Sequence, residues 1–343
     1  MMFHSKRVTA LAALVLSAAM TLTACGSDDD SGGGGGGGGD KTSVTFLPKN
    51  LGNPYFDVTA RGGEDAVKDF GGTFDQVGPQ EASPDAQVQY INTAAQQGVN
   101  ALVVSANDPT AICDALDQAS EAGTKIVTFD SDTDPECRDL YISQATSEGI
   151  AKAQVDLISE QIGDNGEIAI LSATANATNQ NAWIKMMEED LKANHPDIKL
   201  VDTVYGDDDD QTSFDKTAAL LKSHPNLKGI VSPTTVGIAA AARYLSDSKY
   251  KGKVKLTGLG FPNDLREYVK NGTIDAFALW DVEALGYLAA YTAKALVDGD
   301  IEGKEGDSFK AGKLGEFKVG ADGTVLLGEP TVFDAKNIDD YDF

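Results

Sequence analysis

Histidine, cysteine and basic side chains are scarce in this 343-residue sequence, which has three histidines and three cysteines. It contains no H-x-x-x-H or C-x-x-C pattern, so neither a zinc site nor a redox dithiol is expected, and no metal or cofactor is predicted. Lys and Arg total 28 against 53 Asp and Glu, which gives a formal net charge of -25. A surface this acidic repels phosphate backbones and anionic lipid headgroups, so nucleic acid is excluded as a partner.

Long apolar runs are also lacking, apart from Val8 to Leu22 near the N-terminus. That run is too short for an ordinary spanning helix, and it follows the basic residues Lys6 and Arg7, as in a secretory signal. It ends in L-T-A-C, which resembles a bacterial lipobox. The resemblance implies a signal over residues 1–25, with Cys25 lipidated as the first mature residue. A plain secretory signal with a chance cysteine is the alternative. We expect an exported protein, held by lipid at the outer face of the cytoplasmic membrane.

The segment 26–42 is rich in glycine and aspartate, with glycine at every position from 32 to 39. This composition is typical of a flexible tether. It does not indicate a phosphate-binding loop, because no strand precedes it and no helix follows.

From residue 43 onward, short apolar runs alternate with segments of helical periodicity. The predicted strands are Ser43 to Leu47, Thr73 to Val77, Ala101 to Ser105, Lys125 to Phe129, Glu167 to Ser172, Lys199 to Tyr205, Gly229 to Ser232, Val254 to Gly258 and Ala276 to Leu279. The predicted helices are Ala86 to Gln97, Ala111 to Ala122, Ser147 to Ile162, Ala182 to Asn194, Phe214 to Ser223, Val236 to Ser246 and Glu283 to Val297. This alternation predicts an α/β fold with two doubly wound parallel sheets.

In such sheets, ligands bind beyond the carboxyl ends of the strands. The segments predicted there carry amides, carboxylates, one lysine and several aromatics, but no grouped nucleophile, base and orienting residue. Aromatic faces and planar hydrogen-bonding groups suit a small polyhydroxylated ligand. We therefore expect a binding protein for a small sugar. An exported sugar-active enzyme is the alternative, because paired carboxylates also support glycosidase chemistry.

Four stretches carry a resemblance to a known family. They are Phe46 to Lys49 with Asn53 to Phe56, Thr128 to Thr133, Pro135 to Arg138, and Leu279 to Val282. Over about residues 43–343 the chain resembles type I periplasmic sugar-binding proteins of ABC importers, in the branch that binds rhamnose or autoinducer 2. The resemblance implies a monomer with two lobes that close around the ligand, and an ABC permease as partner.

The resemblance also implies three chain crossings between the lobes, near Ala145, near Trp280 and in the C-terminal part. The first lobe would then comprise 43–145 plus about 281–309. The second would comprise 146–280 plus about 310–343.

The expected ligand-binding residues come from both lobes. The resemblance implies that Lys49 and Asp130 face the cleft from the first lobe, that Tyr55 and Phe56 supply an aromatic wall, and that Asn179, Gln180, Pro233 and Thr235 face it from the second. The loops add Asn53, Asn107, Trp183, Phe261, Trp280 and Asp281. Two readings stay open: Lys49 as a surface lysine, and Tyr55, Phe56, Trp183 and Phe261 as core aromatics.

Two positions depart from the autoinducer-2 binders, which carry a carboxylate where this chain has Asn179 and a small apolar residue where it has Thr235. A wrong partner for a buried polar group costs about 1–3 kcal/mol, enough to change ligand preference by one or two decades. The departures favour a deoxy sugar, with L-rhamnose as the first candidate, over autoinducer 2.

Two runs of acidic residues are candidates for a metal-binding site. Asp130, Asp132 and Asp134 have calcium-loop spacing, but an EF-hand also needs glycine at its sixth position and an acidic residue at its twelfth, where this chain has Pro135 and Tyr141. The run 207–210 is four aspartates, which we interpret as a solvated turn.

Cys113 and Cys137 remain once Cys25 is assigned to lipid. Export permits a disulfide between them, which would constrain the loop that carries Asp130. Two reduced, partly buried thiols are the alternative.

Overall fold

A computed structural model describes residues 41–343, which form one compact unit. The expected signal, Cys25 and nearly all of the tether lie outside the described residues. Within 41–343, no helix combines the length and the apolar character that crossing a membrane requires.

Fourteen strands and nine α-helices make up the described part of the chain. The strands are β1 (Ser43–Leu47), β2 (Thr73–Gln76), β3 (Ala101–Val104), β4 (Lys125–Phe129), β5 (Leu140–Ser143), β6 (Gly166–Ser172), β7 (Ile198–Tyr205), β8 (Leu227–Ser232), β9 (Lys255–Gly258), β10 (Ala276–Leu279), β11 (Ser308–Lys310), β12 (Glu316–Lys318), β13 (Thr324–Leu326) and β14 (Thr331–Asp334). The helices are α1 (Pro54–Asp69), α2 (Pro84–Gln97), α3 (Cys113–Glu121), α4 (Ser147–Ile162), α5 (Thr178–Asn194), α6 (Asp210–Ser223), α7 (Thr235–Ser246), α8 (Pro262–Lys270) and α9 (Val282–Asp298).

The first lobe is built on a six-stranded parallel sheet in the order β13-β5-β4-β3-β1-β2. Helices α1, α2, α3 and α9 pack against it. Its central strand β3 reads Ala-Leu-Val-Val and is buried along its whole length, as expected for a parallel strand covered on both faces.

The second lobe is built on a four-stranded parallel sheet in the order β7-β6-β8-β9. Strand β10 lies beside β9 through a parallel bridge between Leu259 and Ala278, and β14 pairs antiparallel with β10. The predicted α/β fold with two parallel-sheet lobes is confirmed.

The C-terminal part corrects one expectation. We expected the chain to return to the second lobe at about residue 310, but β13 pairs parallel with β5 in the first sheet, with Val325 fully buried. The chain then joins the second lobe through β14 and through the residues after it, which pack against α8. The physical reason is that β13 pairs with the outer side of β5 and leaves only a three-residue strand at this edge of the sheet, and short edge strands limit the exposed backbone groups.

Helices α1 and α9 approach each other closely through glycine. A Cβ atom at Gly286 would overlap the carbonyl oxygen of Thr59, and one at Gly62 would overlap the carbonyl oxygen of Glu283. Since α1 begins next to Asn53 and α9 begins after Asp281, this contact fixes two loops of the cavity described below relative to each other.

Candidate functional site

A cavity lies where the carboxyl ends of the strands of both lobes meet. The space free of protein atoms is about 380 Å³, including space open to solvent. It is lined by Lys49, Asn53, Tyr55, Phe56, Asp130, Asn179, Gln180, Trp183, Asp208, Pro233, Thr234, Thr235, Leu259, Leu279 and Trp280. This position is the one that open parallel sheets use for ligands.

The polar centre of the cavity joins charged and amide groups from both lobes. Lys49 Nζ lies 3.7 Å from Asp130 Oδ2, and the two side chains are only 4% and 8% exposed. Lys49 Nζ also donates to Asn179 Oδ1 at 3.2 Å, and Asn179 Nδ2 donates to Asp130 Oδ1 at 3.2 Å. Ser105 Oγ donates to Asp130 Oδ2 at 2.7 Å. A buried ion pair needs such additional hydrogen bonds to offset the loss of hydration.

The backbone of Asp130 has a left-handed conformation, with φ of 61°. A non-glycine residue holds this conformation only where its surroundings fix it, and such residues cluster at ligand sites. Here the Asp130 carbonyl oxygen accepts from Tyr141 Oη at 3.1 Å, from Asn179 Nδ2 at 3.3 Å and from Gln144 Nε2 at 3.4 Å. These donors orient the Asp130 carboxylate toward the cavity.

The backbone of Lys49 is held by a second buried network. Asn107 Nδ2 donates to the Lys49 carbonyl oxygen at 2.8 Å, and the Asn107 N–H donates to Gln87 Oε1 at 3.0 Å. Gln87 Nε2 in turn donates to the carbonyl oxygens of Pro48 and Ser105, at 3.0 and 2.8 Å. Gln87 therefore ties together the loops after β1 and β3, although it lies inside α2 and nothing in its sequence context marks it.

Aromatic side chains form the apolar wall. Trp280 Nε1 donates to Tyr55 Oη at 3.1 Å, with the two rings edge to face and 6.2 Å apart. Trp183 packs edge to face against Trp280 at 6.0 Å, and Phe56 packs against Tyr55 at 5.2 Å. Burial and the nearby charge of Asp130 raise the pKa of Tyr55, so its hydroxyl stays protonated.

The second lobe contributes the starts of helices α5 and α7. Gln180, in the first turn of α5, accepts through Oε1 from Ser172 Oγ at 2.8 Å and from the Ala173 N–H at 2.9 Å. These bonds fix the Gln180 amide at the cavity wall. Pro233, Thr234 and Thr235 also line the cavity, where β8 leads into α7.

Eleven of the fourteen expected ligand-binding residues line this cavity. Of the other three, Asn107 supports Lys49 from behind, and Phe261 packs beside Tyr55 with ring centres 6.4 Å apart. Asp281 is exposed and accepts from the Ala284 N–H at 2.8 Å as the N-cap of α9. These three residues lie in the right loops but not on the cavity surface.

Sequence reasoning missed four lining residues: Asp208, Thr234, Leu259 and Leu279. The position of Asp208 in the cavity wall is the largest departure from expectation, because the sequence predicts a solvated turn for the whole run 207–210. Its Oδ1 accepts from Thr234 Oγ1 at 2.6 Å, and burial raises the pKa of its carboxyl above the usual value. Leu279 ends a predicted strand, Leu259 directly follows one, and Thr234 lies two positions beyond one, which is the signal that could have found them.

The carboxylates of the loop after β4 point to different partners. Asp132 accepts from Arg138 Nε at 2.8 Å and from Arg138 Nη2 at 2.7 Å, while Asp134 accepts from the Glu136 N–H at 3.1 Å. Among residues 41–343, no three His, Cys, Asp or Glu side chains come together in a way that would hold a metal ion. The same loop is closed by a disulfide between Cys113 and Cys137, whose Cα atoms are 5.2 Å apart.

Comparison with known proteins adds an independent finding. Residues 44–301 match a family described as periplasmic binding protein domain. A crystal structure of a sugar ABC transporter from Actinomyces odontolyticus is 54% identical and has a TM-score of 0.72, with 89% of this chain and 100% of that chain covered. An ABC transporter solute-binding protein from Clostridium phytofermentas with bound L-rhamnose is 36% identical and has a TM-score of 0.85, covering 88% and 98%. A Clostridium saccharobutylicum protein in complex with AI-2 (autoinducer 2) is 28% identical and has a TM-score of 0.83, covering 88% and 100%.

Proposed function

The chain belongs to the periplasmic binding protein family, and from this premise we propose that it is the extracytoplasmic solute-binding component of a sugar ABC importer. The observation that carries the proposal is the cavity between the lobes, where Lys49, Asp130 and Asn179 meet beside Tyr55 and Trp280. Carboxylate, amide and ammonium groups bind hydroxyls, while aromatic rings pack against the apolar face of a sugar ring.

The lining of the cavity favours a sugar that carries an apolar substituent. Phe56, Leu259 and Leu279 present hydrocarbon surface next to the polar centre. The methyl group of a 6-deoxy sugar gains free energy by leaving water for such a surface. We propose L-rhamnose or a related deoxy sugar as the ligand, which agrees with the ligand of the 36% identical protein.

Autoinducer 2 is the second candidate, because the structure of the 28% identical protein is a complex with it. The polar centre argues for the sugar. Asn179 uses its amide both to donate to Asp130 and to accept from Lys49, and a carboxylate at this position would lose the donor.

The proposed mechanism is closure of the two lobes around the ligand. Lys49 and Asp130 follow strands of the first sheet, and Asn179 follows a strand of the second, so a ligand that bonds all three stabilises the closed form. A permease that recognises only the closed form then receives loaded protein. Both oxygens of Asp130 accept hydrogen bonds from protein groups, which fix the orientation of the carboxylate in the cavity.

The test is isothermal titration calorimetry on the purified full-length chain in detergent. The ligands are L-rhamnose, D-ribose, D-xylose, D-galactose and autoinducer 2. We expect saturable binding of L-rhamnose that Lys49→Met and Asp130→Asn abolish, with the far-ultraviolet circular dichroism of both variants unchanged. Binding of autoinducer 2 alone transfers the proposal to signal uptake, and the absence of binding throughout the panel overturns the ligand assignment.

We also propose that Cys25 carries the lipid that holds the protein at the membrane. Each buried methylene of an acyl chain adds about 0.8 kcal/mol, and stable anchoring takes more than one chain. Cys25→Ser is expected to move the protein from the membrane fraction to the soluble fraction. Persistent membrane association of that variant would contradict the anchor.

A further inference from the structure

Asp208 lies at the junction between the cavity and an outer groove. The groove runs along the loops after β1 and β7 and the start of α7, and it shares Asn53, Asp208 and Thr235 with the cavity. A ligand in the cavity therefore has Asp208 beside it on the side that faces the groove.

The four aspartates of the run 207–210 differ in their hydrogen-bond and ion-pair partners. Asp209 caps α6 by accepting from the Thr212 N–H at 2.7 Å, and Asp210 pairs with Arg243. Asp207 is exposed. Asp208 is the member that faces the cavity, and φ of 51° at this residue turns its backbone into the left-handed region.

The carboxylate of Asp208 has an unused oxygen. Its Oδ1 accepts from Thr234 Oγ1, while its Oδ2 has no hydrogen-bond partner within residues 41–343. Asp130 differs, because its Oδ1 accepts from Asn179 and its Oδ2 from Ser105, with Lys49 close to the same oxygen. Thr234 therefore fixes one oxygen of Asp208 and leaves the other available to a ligand.

We propose that Asp208 is a further ligand-contacting residue, whose Oδ2 accepts a hydrogen bond from one ring hydroxyl of the bound sugar at the groove side of the cavity. The inference rests on the proposed sugar-binding function and deepens it. A hydrogen bond to an ionised acceptor is stronger than a neutral one, so this contact contributes to affinity and selects sugars that carry a hydroxyl at that ring position.

The choice of variant follows from the backbone. Asparagine tolerates the left-handed conformation, whereas alanine adds strain that would be mistaken for a lost contact. Asp208→Asn removes the charge and keeps an oxygen for Thr234. Asp207→Asn is the matched control, because Asp207 neighbours Asp208, has a similar φ of 55° and is exposed.

The experiment is calorimetric titration of the full-length chain, Asp208→Asn and Asp207→Asn. The probes are L-rhamnose and analogues of it that each lack one ring hydroxyl. We expect Asp208→Asn to weaken L-rhamnose binding roughly 10-fold and Asp207→Asn to leave it unchanged. The analogue that lacks the contacted hydroxyl should bind the unmodified chain about 10-fold more weakly than L-rhamnose does. The same analogue should bind Asp208→Asn and the unmodified chain with equal affinity.

If Asp208 has a purely structural role, Asp208→Asn weakens the binding of L-rhamnose and of every analogue by the same factor. That result would overturn the inference. Equal L-rhamnose binding by all three proteins overturns it too, while the proposed function stands. If the unmodified chain does not bind L-rhamnose, the ligand assignment fails first and the inference falls with it.

Discussion

Asn179 Nδ2 donates to Asp130 Oδ1 at 3.2 Å, so an amide of the second lobe contacts a carboxylate of the first. The same amide accepts from Lys49 Nζ through its oxygen. Asparagine satisfies both neighbours because it has a donor and an acceptor on one planar group, whereas an ionised aspartate only accepts.

Asn179→Asp tests this relationship. The substitution removes the donor to Asp130 and places a second carboxylate beside it, so we expect L-rhamnose affinity to fall about 10-fold to 100-fold. Autoinducer-2 affinity is expected to fall less or to rise, since the resembling autoinducer-2 binders carry a carboxylate here. Calorimetry with both ligands measures the ratio. Asn165→Asp, the same change at an exposed position of the second lobe, is the control. Unchanged L-rhamnose affinity in Asn179→Asp would refute the assigned role.

Ligand binding is expected to change the intrinsic tryptophan fluorescence. The chain has two tryptophans, Trp183 and Trp280, and both line the cavity. Titration with the sugar should shift the emission, and Trp183→Phe and Trp280→Phe should each lose part of the change. Trp280→Phe also removes the donor to Tyr55, which costs about 1 kcal/mol of the free energy of unfolding. An emission spectrum that stays constant while calorimetry shows binding would place the ligand elsewhere.

Loss of the disulfide is expected to destabilise the first lobe. Cys113 and Cys137 are 24 positions apart, and closing such a loop restricts the unfolded chain by about 3 kcal/mol. Urea unfolding of a Cys113→Ala, Cys137→Ala double variant should show this loss, and adding a reductant should produce it only in the unmodified chain. Equal unfolding midpoints with and without reductant would mean that the bridge contributes nothing.

Asp208 makes stability depend on pH in a defined direction. Burial raises the pKa of its carboxyl, and so do the charges of Asp130 and Asp207, against the lowering effects of Thr234 and Lys49. The native state therefore binds more protons than the unfolded state between the ordinary and the raised pKa. This contribution to the free energy of unfolding is lost as pH rises through that window.

The change that tests it is Asp208→Asn. The Tm of this variant minus the Tm of the unmodified chain should be larger at pH 7 than at pH 4. The reason is that the variant never buries a charge at position 208. Differential scanning calorimetry at both pH values gives the two differences, with Asp197→Asn, the same change at an exposed position of the second lobe, as the control. A Tm difference that is the same at both pH values would contradict the raised pKa.

Nine strands and most of the polar centre follow from the sequence, whereas β5 and β13 of the first sheet and β14 of the second lobe do not. Strands such as β3 are unbroken apolar runs, and Lys49 and Asp130 come just after two of them. The helical periodicity of the sequence does not predict α1, because Gly62 and Gly63 interrupt the periodic pattern. Both positions pack so closely against other parts of the lobe that a Cβ atom would not fit. Those contacts are long-range, and no local signal encodes them.

Asp208 shows the same limit at the site. Four consecutive aspartates look alike in sequence, and only the fold brings one of them against Thr234. Phe261 and Asp281 show the converse, because each lies in a loop at the correct end of a strand but turns its side chain to a neighbour or to solvent. Loop position is therefore predictable, and side-chain direction within the loop is not.

The pairing of β13 with β5 has a consequence for the order of folding. The outer side of β5 stays unpaired until Thr324–Leu326 docks on it, and β10 stays unpaired on one side until Thr331–Asp334 does the same. Neither lobe can complete its sheet in a fragment that lacks these two strands. Because contacts between residues far apart in the sequence form slowly, we expect the pairing of β13 with β5 to be among the late steps of folding.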